Sequence, residues 1–199
     1  IDHRPFLTAP PEAGQALRAR YGGGPLLLFV GVLRYYKGLQ YLLQAMPQVP
    51  GRLLIVGEGP MGAALRAQAR ALGLGERVTF VGRVADEDLP AYYRAADLFI
   101  LPTSERSEAF GLVLVEAMTS GLPVISTELG TGTSYVNQDG ASGLVVPPKD
   151  PAALARAINR LLEDTPLRQR LAQGAWARSA LFAAERMVAA IEAIYAELL

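Results

Sequence analysis

The chain has 199 residues, 51% hydrophobic and 19% charged, with Lys+Arg and Asp+Glu balanced at 19 each. That size suits one α/β domain with one core, and the apolar content excludes a disordered chain. Balanced charge removes the electrostatic case for a nucleic-acid or membrane-surface partner, and with no cysteine and one histidine, His3, thiolate metal sites, histidine triads and His-ligated zinc are poor fits.

No apolar run approaches the ~20 residues that span a bilayer, and the N-terminus lacks the layout of a signal peptide. A cytoplasmic chain is therefore expected. Residues 1–10, with Pro5 and Pro10, read as a linker entering from something upstream, and His3 within it as outside any core. Short apolar runs predict buried parallel strands over Leu26–Val32, Arg52–Val56, Val78–Val81, Leu98–Leu101, Pro123–Ser126 and Leu144–Val146. Helix-period segments alternate with them near Lys37–Met46, Pro60–Leu72, Glu87–Ala95, Phe110–Thr119 and Ser134–Asn137. Pro60 stands where a helix should start, and Gly73 and Gly121 where helices should stop. Such alternation predicts an α/β doubly wound parallel sheet, Rossmann-like, over residues 11–181. Beyond Pro151 the pattern is helical only. Met187, Val188, Ile191, Ile194, Tyr195 and Leu198 stripe one side of a last helix within residues 182–199. Trp176 and this stripe read as core rather than as a ligand platform.

The strongest constellation is Ser107-Glu108-Ala109-Phe110-Gly111-Leu112-Val113-Leu114-Val115-Glu116-Ala117, between the strand ending near Leu101 and a helix. Ligands of doubly wound sheets bind at the carboxyl ends of strands, where a helix N-terminus presents free N–H groups to a phosphate. Gly111 lets a phosphate oxygen approach the backbone. Glu116 lies about 9 Å along the helix from Phe110. One carboxylate at the mouth and another farther along can each grip a diol, a sugar on one side of a pyrophosphate and a ribose on the other. A first-turn acid and an exposed helix acid are an equally open reading of the spacing alone.

Gly57-Glu58-Gly59-Pro60-Met61-Gly62 matches the G-x-G-x-x-G dinucleotide fingerprint between a strand and a helix. It follows the second strand rather than the first, and Gly82-Arg83 stands where an acid is expected about twenty residues on. An NADP-dependent oxidoreductase stays open here, with Arg83 answering a 2′-phosphate.

The run from Glu108 to Met118 resembles the Glu-x7-Glu signature of retaining glycosyltransferase family 4, of GT-B fold. The likeness continues in family order through Ile1-Asp2 to Phe6, which resembles the interdomain linker, and through Lys37-Gly38-Leu39, Phe80-Val81-Gly82 and Ala96-Asp97. It goes on through Pro102-Thr103-Ser104, Gly121-Leu122-Pro123-Val124-Ile125 and Asp139-Gly140-x2-Gly143. The resemblance implies the C-terminal, donor-binding half of an enzyme that moves a sugar from a nucleotide diphosphate sugar to an acceptor, in polysaccharide or glycoconjugate synthesis. It implies that Lys37 and Arg34, with the backbone of Ala109, Phe110, Gly111 and Leu112, stabilise the departing diphosphate. Glu108 would orient the sugar and Glu116 the ribose. Gly31, the Gly57 turn and the Thr131 loop would lie against the donor, and Arg83-Val84 under the base.

One departure concerns the arginine, which in the family directly follows the glycine, where this chain has Val32. Asp86-Glu87-Asp88 has the D-x-D spacing of metal-dependent glycosyltransferases of another fold, but reads better as first-turn acids with Asp86 as N-cap. No cofactor and no metal are expected. The resemblance also implies an acceptor site on an N-terminal domain outside this chain, an acceptor that can be membrane-associated, and no transfer by these residues alone. The last helix would then lack its partner, and weak self-association is expected. A non-catalytic nucleotide-sugar-binding module stays open as the non-enzyme alternative.

Overall fold

The computed structural model describes residues 1–198. Leu199 and the side chain of Leu198, last member of the expected stripe, lie outside the described residues. In chain order the elements are α1 (Arg4–Thr8), α2 (Pro11–Arg20), β1 (Leu26–Val30), α3 (Leu39–Ala45), β2 (Arg52–Val56), α4 (Gly62–Ala71), β3 (Val78–Gly82) and α5 (Leu89–Ala95). They continue with β4 (Leu98–Leu101), α6 (Leu112–Thr119), β5 (Val124–Thr127), α7 (Gly132–Val136), β6 (Gly143–Val146), α8 (Pro151–Glu163), α9 (Thr165–Ser179) and α10 (Ala184–Leu198).

Six parallel strands form one sheet in the order β3-β2-β1-β4-β5-β6, the Rossmann arrangement of a doubly wound domain. Every residue of β1 and β4 is buried, because α3, α4 and α8 pack on one face and α2, α5, α6 and α9 on the other. The winding reverses between β1 and β4. Their carboxyl ends, at Val30 and Leu101, therefore bound the crevice where such sheets take ligands. Asp97, just before β4, accepts hydrogen bonds from the Leu26 N–H at 2.8 Å and from Arg18 at 2.9 Å, fastening α2 to the start of β1.

Several expectations are corrected. Within residues 1–10, read as a linker, α1 forms, with Phe6 buried edge-on against Tyr93 at 5.6 Å. His3 is half-buried, and its Nε2 is shut off from solvent. The helix expected from Lys37 begins only at Leu39, because Gly38 adopts φ 71° where any Cβ would overlap the Pro102 carbonyl oxygen. The helix expected from Pro60 begins at Gly62, after a turn held by the Met61 N–H on the Leu33 carbonyl at 3.0 Å. Asp86 is no N-cap: α5 begins at Leu89 behind Asp88, which makes no side-chain capping bond. Trp176 is not core but 58% exposed on α9.

The last helix forms as expected, yet Met187, Val188, Ile191, Ile194 and Tyr195 are all exposed, at 45–63%. It packs chiefly against the turn that precedes it. No helix among the described residues is long and apolar enough to cross a membrane.

Candidate functional site

The chain leaves β1 at Val30, turns at Gly31, and makes one 3-10 turn over Tyr35–Lys37 that carries the Lys37 side chain back beside the strand end. A Cβ on Gly31 would stand 3.7 Å from Lys37 Nζ, and the Tyr36 ring centre lies 5.5 Å from it. Lys37 is only 8% exposed. A buried ammonium needs a partner, and Glu108, on the loop leaving β4, supplies one: its Oε2 ion-pairs with Lys37 Nζ. The only other lysine, Lys149, pairs with Glu105 at 2.7 Å. Both lysines thus tie down the loop between β4 and α6.

Beside this pair α6 begins. Gly111 N-caps it in the left-handed region, at φ 79°. The Leu114 N–H of its first turn donates to the Gly111 carbonyl at 2.8 Å; those of Leu112 and Val113 have no acceptor within the helix, and the dipole favours an anion there. The Gly132 N–H donates to the Ala109 carbonyl at 2.8 Å, and a Cβ on Gly132 would stand 3.0 Å from Phe110 Cδ2. The Thr131 loop is therefore packed directly on residues 109–110. The Thr131 and Thr133 hydroxyls share a hydrogen bond of 3.0 Å.

On the other side of Gly31 the ends of β1, β2 and β3 frame a cleft of ≈ 430 Å³, walled by Gly31, Val32, Gly57, Glu58, Arg83 and Val84 among others. Gly57 is held at φ 122° where a Cβ would overlap the Gly31 carbonyl oxygen, and its N–H donates to the Gly82 carbonyl at 2.8 Å. A side chain there would force the strand ends apart. A wider groove of ≈ 690 Å³ along α2 and α5 shares Arg83 and Val84 with this cleft.

Glu116 faces α5. Tyr93, fully buried, donates its hydroxyl to Glu116 Oε2 at 2.7 Å. Burial pushes the Glu116 carboxyl above its ordinary value, the Tyr93 hydrogen bond opposes that, and the charge of Asp86 adds to it. The Tyr93 hydroxyl is itself pushed well above its usual value, by burial first and by Glu116. Glu116 is therefore not the exposed helix acid of the plain reading.

The sequence profile described as glycosyl transferases group 1 matches residues 16–178, most of the chain. This chain belongs to that family. Among curated relatives, the D-rhamnosyltransferase WbpZ of Pseudomonas aeruginosa is 48% identical over 156 residues, which are 78% of this chain and 41% of that protein. The O-antigen chain mannosyltransferase C of Escherichia coli is 40% identical over 178 residues, 89% of this chain and 48% of that protein. Among solved structures, Anabaena HepE in complex with UDP superposes with a TM-score of 0.91 at 28% identity, over 99% of this chain and 56% of that one. The chain spans about half the length of these three proteins. Its six-stranded sheet is the Rossmann-like unit of a GT-B glycosyltransferase.

Within this glycosyltransferase unit, Gly31, Lys37 and Glu108 come together, and so do Ala109, Phe110, Gly111 and Thr131. Gly31, Gly57, Arg83 and Val84 share one cleft, while Leu112 opens α6. Glu116 lies apart from the Lys37–Glu108 pair, on Tyr93. Arg34 is exposed, is not on the cleft wall, and forms no ion pair among the described residues. Val32 is on that wall and 50% exposed. Val32→Arg is accordingly expected to tighten nucleoside diphosphate binding up to about tenfold and steepen its salt dependence. Titration of both chains at two salt concentrations, with Arg34→Ala alongside, checks this; unchanged affinity would mean that the diphosphate does not pass Val32.

Sequence reasoning missed Tyr93. No local signal marks it: Tyr93 meets Glu116 across two helices 23 residues apart in sequence, while Glu58 lies within the Gly57 turn already singled out and lines the cleft. The Tyr93–Glu116 contact carries a pH signature. The folded carboxyl titrates above the unfolded one, so Glu116 adds stability below the unfolded value and loses it as pH rises through the folded value. The melting point of the native chain relative to Glu116→Gln should fall across that window, and Tyr93→Phe, which removes the opposing hydrogen bond, should move the window upward. Melting curves at a series of pH values test this; a difference flat in pH would refute it.

Proposed function

We propose that this chain is the nucleotide-sugar-binding half of a retaining glycosyltransferase of polysaccharide or glycoconjugate synthesis, working in the cytoplasm. The observation that carries the reading is Lys37: a buried ammonium at the switch point of the sheet, paired with Glu108 on the loop that leads through Gly111 into α6. The diphosphate of the donor would lie between Lys37 and the first turn of α6 and take the ammonium from Glu108. Glu108, released, would accept hydrogen bonds from sugar hydroxyls. Glu116, held by Tyr93, would accept them from the ribose. The base would enter the cleft between Val32 and Arg83-Val84.

The bond that breaks joins the anomeric carbon to a diphosphate oxygen, the new bond joins that carbon to an acceptor hydroxyl oxygen on the same face, and the hydroxyl's proton passes to the departing diphosphate. Negative charge grows on the departing diphosphate. A preorganised ammonium and helix amides stabilise that charge as it develops, so the reaction is assigned no metal. The UDP complex of Anabaena HepE, so similar in fold, supports a nucleotide as the ligand class. Retention is what the Glu108–Glu116 spacing implies by its likeness to family 4. Calorimetric titration with UDP, GDP and ADP in excess chelator is the test: one of them should bind with unit stoichiometry, and binding abolished by the chelator in a folded sample would remove the metal-free claim.

The 199 residues alone are expected to bind donor and transfer no sugar. Donor and acceptor must be held in near-attack geometry, and in this reading the crevice at the switch point is taken by the nucleotide sugar, so the acceptor is assigned to the N-terminal half. The matched relatives are about twice this length, and the apolar face of α10 is open to receive more protein. Supplying the N-terminal half, covalently or in trans, should give transfer; robust transfer by this chain alone would overturn the half-enzyme claim while leaving the donor site standing.

A further inference from the structure

The turn Ala180–Phe182 joins α9 to α10 and buries none of its own residues completely. Phe182 nonetheless has more specific neighbours than a surface connection needs. Its ring stands edge-on to Phe110 at 5.7 Å and edge-on to Tyr135 of α7 at 5.9 Å. The Arg178 guanidinium lies 5.7 Å from it and anchors itself through Nε on the Val136 carbonyl at 2.9 Å. The backbone is tied as well: the Phe182 carbonyl accepts from the Ile1 amine at 2.8 Å, and the Ile1 carbonyl accepts from the Ala184 N–H at 3.1 Å.

Phe110 immediately precedes Gly111, the residue that turns the chain into α6. Where residues 110–112 aim their N–H groups depends on how Phe110 is seated, and Phe182 is the one aromatic ring in contact with it among the described residues. We propose that Phe182 is a positioning residue for the donor site: it holds Phe110, and through it the N-terminus of α6, in the orientation that receives the diphosphate. This rests on the donor-site reading above. Phe182 itself touches no ligand. Its effect is to spare the loop the ordering that binding would otherwise require.

The test uses the 199-residue chain and whichever of UDP, GDP and ADP binds it most tightly. Phe182→Ala should raise the dissociation constant about three- to tenfold, the scale of one edge-on aromatic pair. The melting point should fall, since Phe182 is half-buried against the core, so binding is measured well below the melting point of each variant. Phe182→Tyr, which keeps the ring, should restore affinity to within about twofold. Leu181→Ala, on the same turn and 39% exposed, should leave affinity unchanged. Unaltered binding by Phe182→Ala, failure of tyrosine to rescue, or an equal loss from Leu181→Ala would each overturn the proposal. If the native chain binds none of the three nucleotides, the donor-site reading itself has failed, a result visible before any variant is made.

Discussion

Lys37→Ala is expected to weaken nucleoside diphosphate binding ten- to hundredfold, the value of a hydrogen bond to a charged group. In the complete enzyme it should slow turnover by a further factor of about 10²–10³, as removal of a preorganised donor to developing charge does elsewhere. Two effects overlap in this variant, and the geometry separates them. The ammonium is lost from the phosphates, and Glu108, mostly buried beside it, is left without a counter-charge. Breaking one side of a buried pair destabilises a fold more than replacing both sides. The double variant Lys37→Ala/Glu108→Gln should therefore recover the melting point and not the affinity. Should the double variant bind nucleotide as well as the native chain, Lys37 would be a structural residue.

The two glutamates are expected to part company. Glu116→Gln should weaken binding of the free nucleoside diphosphate ten- to hundredfold, because its partner in this account is the ribose, which every donor and product carries. Glu108→Gln should leave free nucleotide binding intact or tighten it, since Lys37 no longer has to be drawn away from a carboxylate. Its loss should appear only with the sugar nucleotide, as weaker discrimination between the donor and the bare diphosphate. Titrating each variant with the nucleoside diphosphate and with its sugar conjugate reads both quantities. Equal losses for free nucleotide in the two variants would exchange or dissolve these roles.

Much of this was legible before any coordinates. The bounds of β2 and β4 coincide with the apolar runs Arg52–Val56 and Leu98–Leu101, because a strand buried on both faces writes itself as an uninterrupted apolar stretch. Helix starts slipped by two residues where backbone meets backbone, as at Gly38 under Pro102, a contact no local pattern announces. The helices α1 and α2 are not announced by local pattern: Pro5 and Pro10 read as a linker, whereas Pro5 and Pro11 occupy first-turn positions where proline is tolerated. In the candidate site, spacing and resemblance single out Lys37, Glu108 and the α6 N-terminus as residues to test. The pairing of Lys37 with Glu108 was not legible, since it links residues 71 apart across two strand ends. Tyr93 was invisible for a similar reason: its role depends on which face of α5 meets α6. Trp176 shows the converse, an apolar residue whose type says nothing of the side it faces.

The central claim is that the nucleotide lies at the switch point of the sheet, and a crystal structure of the chain soaked with its tightest nucleoside diphosphate tests it most directly. The account predicts a phosphate oxygen within about 2.7–3.2 Å of Lys37 Nζ and of a backbone N–H at the start of α6. It also predicts Glu108 withdrawn from the lysine and a ribose hydroxyl on Glu116. A nucleotide with its phosphates against the Gly57–Gly62 turn, and the Lys37–Glu108 pair left intact, would contradict it.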